Sequence, residues 1–104
     1  MKSQLEAKYR SAWESGDRGE RQTVLDYIYR QRKEDGFDIL VEAIRGSDPH
    51  LAQLALGLAS ALIITYGFNL GPNIWQALED FRRAFPEDSE YVVWVQTKID
   101  KGAT

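Results

Sequence analysis

Residues 51–66 read LAQLALGLASALIITY, and this stretch most limits what the chain can fold into. Between Leu54 and Tyr66 only Ser60 and Thr65 are polar, across 13 residues. A helix that is apolar on nearly every face must be covered on several sides. A bilayer span needs roughly 20 apolar residues. Gln53 and His50 on one side, and Gly67 and Asn69 on the other, stop this run short of that. The reading is therefore a buried core helix over residues 49–66, with the rest of the chain packed around it. Asp48 is placed to cap it. Pro49 suits its first position, where no amide hydrogen is needed.

The other breaks are legible in the same way. Leu5, Tyr9, Ala12 and Trp13 share one face of a first helix near residues 3–15, stopped by Gly16. Asp17 stands three residues before Glu20, as in a capping box with Asp in the hydroxyl position. A second helix near 18–34 buries Val24, Leu25 and Ile28. Its other face turns Thr23, Asp26, Arg30 and Lys33 to water, with Asp26 and Arg30 spaced to pair. Asp35-Gly36 breaks the chain. A third helix near 37–45 carries Phe37, Leu40, Val41 and Ile44 on one face, with Ile39 and Ala43 on the other, so it contacts two layers. After the Gly67–Asn73 connection, a fifth helix near 73–85 buries Ile74, Ala77, Leu78, Phe81 and Phe85. A sixth opens on Glu87, Asp88 and Glu90, favourable at the positive end of its dipole. It buries Val92, Val95 and Ile99 and ends at Gly102. The β-branched run at Val92, Val93 and Val95 is compatible with a strand, but no partner strand is visible.

The expectation is one all-α domain over residues 1–104: five or six helices in antiparallel hairpins, 1 with 2, 3 with 4, and 5 with 6. The hairpin starts, near residues 3, 36 and 73, are separated by roughly 33 to 37 residues, the range of helical repeat units. The middle hairpin, residues 36–66, resembles a HEAT-type repeat. Leu40, Ala43 and Ile44 precede an Asp48-Pro49 turn, and Leu51, Leu54, Ala55, Leu58, Ala59 and Leu62 follow it. The outer hairpins lack the Asp-Pro turn, so a small helical bundle stands beside the HEAT-like reading. The resemblance implies a protein-binding scaffold and no catalytic residues.

Composition narrows function by exclusion. The chain has no cysteine, which removes disulfides and thiolate zinc sites and fits a cytoplasmic setting. Thirteen basic and 16 acidic residues are interspersed, giving a net charge of −3 with no basic stripe for nucleic acid. No apolar leader is visible at the start, and no membrane span is expected. His50 is the sole histidine and reads as a surface residue near a helix start, with no set of ligands or nucleophile around it. The acid pairs Glu34/Asp35, Glu79/Asp80 and Glu87/Asp88 are adjacent in sequence. On a helix they point about 100° apart and do not flank one bond. The glycines at 67 and 71 belong to a connecting loop. The basic runs Arg30-Arg32-Lys33 and Arg82-Arg83 have acids beside them and read as solvated faces. No cofactor and no metal is expected.

The informative residues are aromatics off the core stripe. Trp75 sits about 100° from the buried centre of the fifth helix, with Glu79 and Arg82 beside it. On the sixth helix Val93 points away from the core and Trp94 flanks it. On the second helix Tyr27 and Tyr29 flank the stripe on both sides. Trp, Tyr and Arg are enriched at binding hot spots, although packing against a neighbouring hairpin also uses them. Tyr27, Tyr29, Trp75, Glu79, Arg82, Val93 and Trp94 are therefore the candidate protein-binding residues. The outer face of the last helix has no following hairpin in this chain, so it predicts a partner or a homodimer. The expected function is a non-enzymatic module that presents a helical surface to another protein, and its acidic balance suits a basic partner. The alternatives are a small bacterial or phage inhibitor, such as a toxin immunity protein, and an enzyme with an unrecognised carboxylate or tyrosine site.

Overall fold

A computed structural model describes residues 4–103, with side chains described for 7–99. The described residues form six helices: α1 Gln4–Ser15, α2 Arg18–Gln31, α3 Phe37–Ile44, α4 Pro49–Ile64, α5 Ile74–Ala84 and α6 Ser89–Ala103. Residues 92–95 are helical, so the strand alternative is removed. The placements predicted for Leu5 and for the side chains beyond Ile99 lie outside the described side chains. α6 continues through Gly102, where the sequence predicts a stop.

The starts follow from capping chemistry. Asp17 accepts the Glu20 amide at 2.8 Å and opens α2. Asp48 accepts the His50 amide at 3.0 Å and the Leu51 amide at 3.4 Å, with Pro49 as the first helical residue of α4. Two of the ends differ from the sequence reading. α2 stops at Gln31 rather than near 34, because Arg32 turns left-handed at φ 48°, ψ 50°. The Lys33 amide then reaches back to the Ile28 carbonyl at 3.0 Å, and the Arg32 amide to that of Tyr29 at 3.2 Å. This closes the helix as a Schellman turn. Residues 34–36 and 86–88, read as breaks or as the head of the next helix, are single 3-10 turns.

The hairpins pair as expected: α1 with α2, α3 with α4, and α5 with α6. Neighbouring hairpins touch like with like. α2, α4 and α6 form one layer, with α4 in the middle. α3 packs on α5 in the other layer, and α1 joins α3 through Arg10. Both apolar faces of α3 are covered, so Ile39 and Ala43 are as buried as Leu40 and Ile44. α4 buries Leu51, Ala52, Ala55, Leu56, Ala59, Ser60 and Leu62, and exposes Pro49, His50, Gln53 and Gly57. The Ser60 hydroxyl donates to the Leu56 carbonyl at 2.7 Å, which satisfies its one buried polar group. No helix among the described residues is long and apolar enough to cross a membrane.

Arginines join the hairpins along their rims. Arg10 of α1 pairs with Asp38, at 2.7 Å, and with Glu42 on α3. Arg45, at the end of α3, meets Asp80 of α5 at 2.9 Å. Arg18, at the head of α2, meets the α4 cap Asp48 at 2.8 Å. In each case the base belongs to the earlier hairpin and the acid to the next. His50 Nε2 and Gln22 Oε1, 2.9 Å apart, add a further link between α4 and α2. Pairs of this kind, partly exposed, contribute about 0–1 kcal/mol each, so they set register more than they set stability.

Two glycines test the packing in opposite directions. A Cβ on Gly36 comes within 2.8 Å of Cγ1 of Ile28, which is itself fully buried. Gly57 lies inside α4 with open space around its Cβ position. Urea unfolding of Gly36→Ala is expected to show a loss of about 1–3 kcal/mol. Gly57→Ala is expected to gain about 0.5–1 kcal/mol. The reverse order contradicts this packing.

Candidate functional site

α6 divides cleanly into two faces. Val92 and Val95 are fully buried, Gln96 nearly so, and Ile99 packs at the core edge. On the other side Tyr91, Val93 and Trp94 are 43 %, 43 % and 44 % exposed. Glu90, Tyr91, Trp94, Thr97 and Lys98 recur at three- and four-residue intervals, which puts them on one stripe. Trp94 is held within that stripe. The Tyr91 ring lies 5.9 Å from it at a 44° tilt, and Lys98 Nζ stands 5.7 Å over its face. An indole supported at both ends loses little rotamer freedom when a partner covers it.

Glu79 and Arg82 serve the inside of this hairpin. Glu79 Oε2 accepts from Arg82 Nη2 at 2.9 Å, and its Oε1 accepts from Gln96 Nε2 at 3.0 Å. The carboxylate therefore clasps α5 to α6 and satisfies the buried amide of Gln96. The Arg82 bond, then the Gln96 bond, hold the Glu79 carboxyl below the usual range. Trp75, one turn before Glu79 on α5, is 40 % exposed.

Tyr27 and Tyr29 are elsewhere. Tyr27 is exposed on the first hairpin, its ring 5.6 Å from that of Tyr9. Tyr29 is half-buried against the core and meets Tyr66 edge-on at 6.5 Å. The seven candidates therefore occupy three places: the α5–α6 hairpin, the Tyr9–Tyr27 pair, and the junction of the α2 and α4 ends.

That junction holds a group the sequence reading placed in solvent. Arg32 is half-buried, with its guanidinium 4.0 Å over the Tyr66 ring and 6.0 Å from that of Tyr29. Its Nη1 donates to the Arg30 carbonyl at 2.9 Å, at the negative end of α2. The solvated-face expectation for Arg30-Arg32-Lys33 thus fails at Arg32. The three-residue spacing of Tyr29 and Arg32 was the local signal, but Tyr66 is 34 residues further on and no local pattern announces it. Arg32 is the described non-glycine residue with positive φ. Arg32→Gly relieves the left-handed strain and loses the stack, whereas Arg32→Ala loses the stack and keeps the strain. In urea unfolding the Gly variant is expected to be about 1 kcal/mol more stable than the Ala variant. Equal stabilities contradict the left-handed turn.

Two surface concavities hold acidic side chains. A groove of about 530 Å³ lies between α3 and the α4–α5 connection, walled by Glu34, Asp35 and Asp38 over Phe37, Val41 and Leu70. A second, about 320 Å³, holds Glu14, Glu42 and Asp48 with Arg21. Among the described residues no group of three or more His, Cys, Asp or Glu is placed to hold a metal. The carboxyls with displaced pKa are Asp48, Glu79 and Asp80, and all three are lowered. Hydrogen bonds come first in each case: from Arg18 to Asp48, from Arg82 to Glu79, and from Gln76 to Asp80. Such groups stay ionised at neutral pH and have no proton to give. Burial, then Tyr27 and Asp35, push the Tyr9 phenol up to about 12, so it remains protonated.

A pH dependence follows. The folded protein binds protons at Asp48, Glu79 and Asp80 more weakly than the unfolded chain does. Their stabilisation is complete above the ordinary carboxylate values of about 4, and it disappears as pH falls through and below that range. The melting temperature is expected to hold from neutral pH down to about 5 and then fall, and Asp48→Asn should flatten that fall. A melting temperature constant down to about pH 3 contradicts these pairings. Compared with known proteins, the chain matches no family model, no curated protein and no solved structure.

Proposed function

We propose that this protein is a non-enzymatic binding module that docks another protein on the outer face of α6. The observation that carries the reading is the exposed stripe of Tyr91 and Trp94, with Val93 at its edge, on a helix whose other face is locked into the core. Aromatic side chains held in place by neighbours are what a protein interface uses as anchors. The holding of the displaced carboxyls as hydrogen-bonded anions supports binding over catalysis. The two-layer order of the hairpins supports reading the middle one as a HEAT-like repeat. The absence of cysteine supports a cytoplasmic setting.

A photo-crosslinking phenylalanine analogue at position 94 tests this in the cells that make the protein. Position 53, on the exposed line of α4, serves as the control. A discrete adduct from 94 and none from 53 is the expected result. No adduct from 94, or the same adducts from both, contradicts the reading. Trp94→Ala should also leave the unfolding free energy within about 0.5 kcal/mol. A loss of about 3–5 kcal/mol would mean that Trp94 belongs to the core.

A further inference from the structure

The α6 stripe has a charge order that selects its partner. Trp94 is at its centre. Glu90 stands four residues before it and Lys98 four residues after. Both lie on the same outer stripe as the indole, and Lys98 already leans over it. A stripe that runs acid, aromatic, base is complementary to its own reverse. When two such helices lie antiparallel about a two-fold axis through Trp94, every position before the tryptophan faces the equally distant position after it on the other copy. Glu90 then meets Lys98 of the second copy twice, once on each side of the axis, and the two indoles meet at the centre. Laid parallel, the same helices bring Glu90 against Glu90 and Lys98 against Lys98.

We infer that the partner of the α6 face is a second copy of this chain, paired antiparallel through α6 on a two-fold axis at Trp94. The inference rests on the reading of α6 as a binding face and names what binds there. An isologous contact of this kind closes on itself, as a two-fold dimer must. Its charges act mainly on orientation and encounter rate, while the aromatic centre excludes water. The contact is a single helix pair, so the dimer belongs to the weak, concentration-dependent class.

Sedimentation velocity across about 1 µM to 1 mM, the span of weak to moderate affinities, reads the assembly directly. The wild type is expected to pass from monomer to dimer within that span, and to do so at higher concentration as salt rises. Glu90→Lys alone, or Lys98→Glu alone, sets like charges across the axis twice and should weaken dimerisation about tenfold or more. An equimolar mixture of the two variants restores both opposite pairs and should sediment as a heterodimer. Because the chain has no cysteine, orientation can be read by oxidation. Glu90→Cys with Lys98→Cys in one chain should cross-link between copies, and neither single variant should. Both positions are exposed or half-exposed, so circular dichroism should stay that of the wild type. A monomer throughout the span overturns the inference, as does a mixture that behaves like its separate variants. Self-cross-linking of either single cysteine overturns the antiparallel order. If the chain sediments as a monomer while photo-crosslinking at 94 captures a different protein, the second copy is wrong and the binding reading stands. A monomer with no adduct at 94 removes both.

Discussion

α4 leaves the rest of the chain little choice. Its sixteen residues are apolar on almost every side, and its exposed residues are Pro49, His50, Gln53 and Gly57. A helix of that kind is stable only when other helices cover it, since burial of an amphipathic or apolar face supplies most helical stability in proteins. α2, α3 and α6 provide the cover. Ala52, Ala55 and Ala59 are buried, and small side chains at helix contacts let helix axes approach. The hairpin order is the consequence. One partner of α4 comes from its own hairpin, and one from each hairpin on either side.

Polar chemistry then fixes how the hairpins sit on that core. Asp48 caps α4 and also pairs with Arg18, so the start of the central helix and the register of the first hairpin depend on one carboxylate. Arg10 and Arg45 do the same between α1, α3 and α5. Arg21 donates to the Trp13 carbonyl at 2.7 Å and lies 5.4 Å over the Trp13 ring, closing the end of α1. Arginines engaged in this way do not assemble into a basic face.

Most of the fold could be read from local signals because local signals decide helices. Asp17, Asp48 and Pro49 mark starts, and Gly16 and Pro86 mark interruptions. The stripes through Val24, Leu25 and Ile28, and through Ile74, Leu78 and Phe81, are all buried. What the sequence hid was set at long range. The end of α2 was read three residues late because a left-handed arginine, rather than a glycine, turns the chain there. Its ring partner Tyr66 comes from the next hairpin. Gln96 is a polar residue in a core position whose partner, Glu79, is on the other helix of its hairpin. For the same reason Glu79 and Arg82, read as part of an outer patch, belong to the hairpin clasp. Trp75, Val93 and Trp94 were legible as off the core stripe because a helical wheel needs only neighbours in sequence, and Tyr91 stands beside Trp94 on α6.

Native-state hydrogen exchange tests the central claim, that the fold is organised around α4. The amides of Ala55 to Leu62 are expected to exchange only through global unfolding. Their opening free energy should then equal the one measured by denaturant, with α1 and the outer part of α6 opening at lower cost. If the α4 amides exchange through a cheaper local opening while α3 or α6 stays protected, α4 is not the element on which the other helices depend.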